Sequence, residues 1–135
     1  MQKVDLNNKT LFVTGSAGFI GSNLVKRLFT DVKGATIVGI DNMNDYYDVN
    51  LKKSRLEELN IDKSFVFVEG NIADKELINE LFEKYKPDVV VNLAAQAGVR
   101  YSITNPDAYI EANLIGFYNI LEACRHSYDN GQAGV

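Results

Sequence analysis

The stretch Thr14–Leu24 reads TGSAGFIGSNL and sets Gly15, Gly18 and Gly21 at equal spacing between two apolar runs. Glycines so placed serve either a phosphate cradle or a tight turn with no ligand, because glycine also permits close helix packing. Their neighbours decide between the two. LFVT (Leu11–Thr14) precedes the glycines, while Ile20, Leu24 and Leu28 follow on one helical stripe, so the stretch closes a strand and opens a helix. In that setting the unpaired N–H groups and positive end of the helix face a space that a pyrophosphate can fill when no side chain blocks it.

Working outward, the strand signal recurs in TIVGI (Thr36–Ile40), FVFV (Phe65–Val68) and VVVNL (Val89–Leu93). These runs are continuously apolar, as a parallel sheet covered on both faces requires. Helical patterns lie between them. Leu77, Ile78, Leu81, Phe82 and Tyr85 form a stripe that Asp74 caps and Pro87 stops, and a weaker one runs through Leu51, Leu56 and Leu59. The last helix is expected to open at Asn105–Pro106 and run through Tyr109, Ile120 and Leu121 to about Tyr128. The fold class is therefore α/β, a doubly wound parallel sheet of about four strands alternating with four helices, with the first strand central. The sheet is expected to be incomplete, since a full dinucleotide-binding sheet has about six strands. The tail GQAGV would stop where a fifth strand begins, leaving one edge of VVVNL open to self-association and a homo-oligomer.

Composition narrows the partners. With 135 residues, 46% hydrophobic and 24% charged, residues 1–135 are expected to form one domain with a real core. The net charge of -4 and the lack of a basic cluster argue against nucleic acid, so an anionic ligand must be held by backbone dipoles. One cysteine, Cys124, and one histidine, His126, offer neither an internal disulfide nor a metal site. Without a signal core or an apolar run of about 20 residues, no membrane association is expected and the location is read as cytoplasmic.

Asp41 ends the second strand about 20 residues beyond Gly21, where an acidic side chain accepts hydrogen bonds from an adenosine ribose. It would also repel a 2′-phosphate, which favours NAD over NADP.

The GxxGxxG spacing within TGSAGFIG resembles that of the extended short-chain dehydrogenase/reductases. GIDNMNDYYDVNLKKSRL (Gly39–Leu56), NLAAQAGVRYS (Asn92–Ser102) and NPDAYIEANLIGFYNILEACRH (Asn105–His126) resemble the nucleotide-sugar 4-epimerases, above all the UDP-glucuronate 4-epimerases. The resemblance implies a Rossmann-like domain that binds NAD, with a UDP-sugar as substrate of the full-length enzyme. It implies that Gly15, Gly18, Phe19, Ile20 and Gly21 line the pyrophosphate, Asp41 and Asn42 the adenosine ribose, and Asn71 and Ile72 the adenine. Leu93, Ala94, Ala95 and Gln96 would face the ribose and nicotinamide, with Asn113 reaching toward them from the last helix. Arg100 and Ser102, in the loop beyond a strand end, are the candidates for a sugar carboxylate or diphosphate.

Two departures matter. Members of the resembled family commonly carry Asp where this chain has Asn71, which keeps an acceptor for the adenine amino group and gives up the charge. Their reaction also needs a Tyr with a Lys four residues later. None of the seven tyrosines, Tyr46, Tyr47, Tyr85, Tyr101, Tyr109, Tyr118 and Tyr128, has one. Tyr46 and Tyr47, beside the ribose turn, are read as wall or surface residues. No catalytic residue is assigned, and the chain reads as a cofactor-binding portion that ends before the catalytic pair and the substrate-binding portion. A fragment of a nucleotide-sugar 4,6-dehydratase and a non-catalytic NAD-binding or interaction module are the alternatives.

Overall fold

The computed structural model describes residues 3–131, so residues 132–135 of the expected tail lie outside the described residues. Four parallel strands, β1 (Thr10–Thr14), β2 (Thr36–Asp41), β3 (Phe65–Glu69) and β4 (Val89–Asn92), form one sheet in the order β3-β2-β1-β4. β1 is central, as expected. Leu11 lies opposite both Ile37 and Val89, and Val13 opposite Gly39 and Val91, so β1 is paired along both sides.

Period two sorts the strand residues between faces. Leu11, Val13 and Ile37 pack with Val25, Leu28, Leu56 and Leu59 beneath α1 (Phe19–Asp31) and α2 (Val49–Leu59). Phe12, Val38 and Ile40 pack on the other face with Ile78, Phe82, Ile120 and Ala123, from α3 (Lys75–Tyr85) and the last helix. Both faces of β1 and β2 are covered, as their unbroken apolar runs require, while β3 and β4 at the edges of the sheet are mostly half-buried. Phe12, with no exposed surface, packs against Phe82 at 5.1 Å between ring centroids.

Local chemistry sets the helix ends. Asp48 Oδ1 accepts from Asn50 N at 2.8 Å to start α2, and Asp74 Oδ1 accepts from Leu77 N at 3.1 Å to start α3. α3 stops at Lys86, whose φ of 46° is left-handed, and Pro87 then prevents any continuation.

Two stripes need correction. The inward face of α2 carries Lys52, Leu56 and Leu59, spaced i, i+4, i+7, and leaves Leu51 exposed. In α1 the buried face is Gly21, Val25 and Leu28, and Ile20, one position earlier and about 100° around the helix, is exposed. The last helix is also less regular than expected. A single turn, α4 (Tyr101–Thr104), precedes α5 (Pro106–Tyr109), which opens at Pro106 and runs through a π-helical segment (Ile110–Gly116) into α6 (Phe117–Asp129). Its wider turns rotate the residues that follow, leaving Leu121 exposed and Asn119, Ile120 and Ala123 buried.

Among the described residues, no helix is long and apolar enough to cross a membrane and no group of His, Cys, Asp or Glu could hold a metal ion. Cys124 is a free thiol, which burial pushes above its ordinary pKa.

Candidate functional site

The carboxyl ends of all four strands converge on one cleft, where the crevice of an open α/β sheet is expected. Its floor is the turn after β1. Gly15 N and Ser16 N both donate to Ile40 O, at 2.8 and 3.3 Å, and Gly18 N donates back to Gly15 O at 3.1 Å. Gly15 has a φ of 69°, which L side chains rarely adopt. A Cβ at Gly21 would lie 2.1 Å from Gly15 O, so α1 can leave the turn only with glycine there. A Cβ at Gly18 would meet only Gly15 O, at 3.2 Å. Gly18 is thus spared by the fold rather than required by it, and it stands at the N-cap of α1, where no side chain caps the free N–H groups and no acidic residue occupies the first turn. That opening fits a pyrophosphate. Phe19 and Ile20 flank it, 72% and 68% exposed.

The carboxyl end of β2 is more built than an isolated acid. Asp41 is 7% exposed; its Oδ2 accepts from Ala17 N at 3.1 Å and its Oδ1 from Met43 N at 2.9 Å. Lys52, equally buried, places Nζ 3.3 Å from Asp41 Oδ1 and 3.3 Å from Asn44 Oδ1. Arg55, one turn further along α2, donates to Ala17 O at 3.2 Å and lies 6.0 Å from the Phe19 ring. Sequence reasoning missed Lys52 because a Lys-Lys pair in a helix reads as a solvated face. Its spacing from Leu56 and Leu59 was the signal that could have found it.

Beyond β3, Asn71 and Ile72 line the same cleft. Asn71 Oδ1, the acceptor expected for adenine, receives Ala73 N at 2.9 Å, and its Nδ2 donates to Glu111 Oε1 at 3.2 Å. One lone pair of that oxygen is therefore committed to the turn itself.

The opposite wall follows β4. Thr14 Oγ1 accepts from Leu93 N and Ala94 N, both at 2.9 Å, and donates to Asn92, joining the ends of β1 and β4. Leu93, Ala94, Ala95 and Gln96 then line the cleft opposite Asp41 and Asn42. Asn113 reaches across from the π-helical segment: its Oδ1 accepts from Gln96 N at 2.8 Å and its Nδ2 donates to Gln96 O at 3.1 Å. The rim is aromatic. Tyr46 packs 4.8 Å from both Tyr47 and Tyr101, and Tyr109 donates to Ala97 O at 2.9 Å and to Gly98 O. Desolvation, then the neighbouring Tyr46, Tyr101 and Tyr47, raise the Tyr109 phenol above its ordinary value. Arg100 and Ser102 are not among the cleft-lining residues: Arg100 is exposed and the Ser102 hydroxyl donates to Val99 O.

This geometry has close counterparts. The family model described as GDP-mannose 4,6 dehydratase matches residues 12–133. The chain belongs to the NAD-dependent epimerase/dehydratase family. Among members of that family, Protein CapI of Staphylococcus aureus is 47% identical over 116 residues, which are 86% of this chain and 34% of the relative. UDP-glucuronate 4-epimerase 2 of Arabidopsis thaliana is 45% identical over 120 residues, 88% of this chain and 27% of the relative. The crystal structure of UDP-glucuronic acid 4-epimerase from Bacillus cereus, in complex with UDP-glucuronic acid and NAD, superposes with a TM-score of 0.78 at 33% identity, over 87% of this chain and 36% of that one. The chain thus spans about a third of the length of such family members.

Proposed function

We propose that this chain is the NAD-binding portion of a nucleotide-sugar 4-epimerase acting on UDP-glucuronate. The observation that carries the reading is the turn after β1, with an uncapped helix N-terminus at Gly18 and a buried carboxylate, Asp41, bonded to the same turn through Ala17 N. The glycine turn would bind the pyrophosphate through the N–H groups of Phe19, Ile20 and Gly21, with Gly15 and Gly18 leaving the approach clear. Asp41 and Asn42 would take the adenosine ribose, and Asn71 and Ile72 the adenine. Leu93, Ala94, Ala95 and Gln96 would offer the nicotinamide side a wall of mainly small residues, kept in place by Asn113. The chemistry NAD supplies when bound is removal of a hydride from C4 of the sugar and its return to the opposite face.

Arg100 and Ser102 remain the candidates for the sugar-diphosphate end, and the residues of this chain hold and orient without moving a proton. A 4,6-dehydratase is the second reading, favoured by the description of the matching family model. Calorimetric titration with NAD⁺ tests the cofactor reading: saturable binding by the chain is expected, and none would overturn it. Proton NMR of the chain with NAD⁺ and UDP-glucuronate should show no UDP-galacturonate above a no-protein control. Product would mean that a proton-transfer group lies among these 135 residues.

A further inference from the structure

We infer that Lys52 is a specificity-determining residue, and that cofactor preference is set by the Lys52–Asp41 pair rather than by Asp41 alone. The inference rests on reading the cleft as an NAD site. An acid at the ribose end is expected to reject NADP by repelling its 2′-phosphate, an argument that holds for a carboxylate with no counter-charge. Here the counter-charge is built in. Lys52 Nζ lies 3.3 Å from Asp41 Oδ1, and both side chains are more than nine-tenths buried. At a ligand position several ångströms away the two charges act as a dipole, and much of the repulsion cancels.

The hydrogen bonds give the same result. A carboxylate has about four acceptor positions. Ala17 N occupies one on Oδ2, while Met43 N and Lys52 occupy Oδ1, which leaves a single position on Oδ2 for a ribose hydroxyl. The Lys52 ammonium has three donors, of which two go to Asp41 and Asn44, and the residue lines the cleft. The remaining donor can serve a ribose oxygen or a phosphate. Arg55, a second cation on the same side of α2, holds the carbonyl of Ala17, the residue whose N–H is bonded to Asp41. Asp41 thus has one cation on its carboxylate and a second on the residue it binds, and the chain should prefer NAD less strongly than a lone acid would.

Calorimetry with NAD⁺ and NADP⁺ on the wild-type chain and on Lys52→Met, Lys52→Arg and Asp41→Asn, each checked for folding by circular dichroism, tests this. Lys52→Met should weaken NADP⁺ about tenfold more than NAD⁺, the effect of one charge at partly screened range. Asp41→Asn should move the ratio of affinities by a similar factor the other way. Lys52→Arg, which keeps the charge, should hold the ratio near wild type even where both affinities fall, and this arm with Asp41→Asn decides if Lys52→Met does not fold. A wild-type chain that binds NAD⁺, with a ratio that Lys52→Met leaves unchanged or that Lys52→Arg shifts about tenfold in either direction, overturns the inference alone. Binding of neither nucleotide by the wild-type chain overturns the cofactor reading and the inference together.

Discussion

The turn after β1 and the wall after β4 face each other across one cleft and differ in what holds them, mainly backbone in the turn and side chains in the wall. The turn is held mostly through its own backbone: Gly18 N reaches Gly15 O, Ser22 N reaches Gly18 O, and Gly15 N and Ser16 N reach Ile40 O, with side chains, those of Asp41 and Arg55, engaging it at Ala17. The wall is held from elsewhere, by Thr14, 80 positions from Ala94, and by Asn113, 17 positions from Gln96, both through side chains. A backbone turn is broken by adding an atom, whereas a side-chain brace is broken by removing one.

Four experiments bear on this contrast. Gly21→Ala should have the largest effect, because its Cβ would sit 2.1 Å from a backbone oxygen that cannot rotate away. A loss of about 3 kcal/mol in chemical denaturation is expected, and a variant as stable as the wild type would show that the turn yields. Asn113→Ala should come next, at about 2 kcal/mol, since it strips both hydrogen bonds from the backbone of a residue that is 7% exposed. Hydrogen exchange at the Gln96 amide should accelerate together with that loss. An unprotected Gln96 amide in the wild type would instead place the brace elsewhere.

Gly18→Val sharpens the comparison, because here the fold and the ligand make different demands. Only one atom, Gly15 O at 3.2 Å, meets the new Cβ, so a folded chain weakened by about 1 kcal/mol is expected, with NAD⁺ binding lost in calorimetry. Unchanged affinity in the folded variant would reduce the glycine stretch to a packing turn.

The smallest effect concerns pH. Tyr109 and Cys124 both titrate above their ordinary values of 10.0 and 9.0, so each resists ionising in the folded chain. The unfolded chain then loses those protons first as the pH rises. Their contributions are complete below about pH 9 and fade on the alkaline side. Tyr109→Phe and Cys124→Ala should each remove part of the alkaline fall in melting temperature. A fall of undiminished steepness in both would assign it to other groups.

The strands and the glycine turn could be read from the chain because their causes are local. An apolar run of four or five residues, a cap such as Asp74 and a stop such as Pro87 act within one turn or one strand. The stripes of α1 and α2 were harder. Leu51 and Ile20 are apolar residues that the fold leaves outside, while Lys52 and Gly21 face inward in their place. The π-helical segment carries no composition signal, and the contact it makes through Asn113 is with Gln96, 17 positions away in the chain.

The order of residues along the chain was enough for the alternation of strands and helices, the central place of β1, the turn that leaves a helix N-terminus open, and an acid at the end of β2. Each follows from residue type and short spacing. Tertiary structure alone decided that Asp41 shares its charge with Lys52, that Arg55 holds the glycine turn, and that Asn113 braces the far wall. The physical reason is distance along the chain. A carboxylate looks the same in a sequence whether its counter-charge is water or a lysine eleven positions on, and only packing, which excludes the water, makes the lysine its partner.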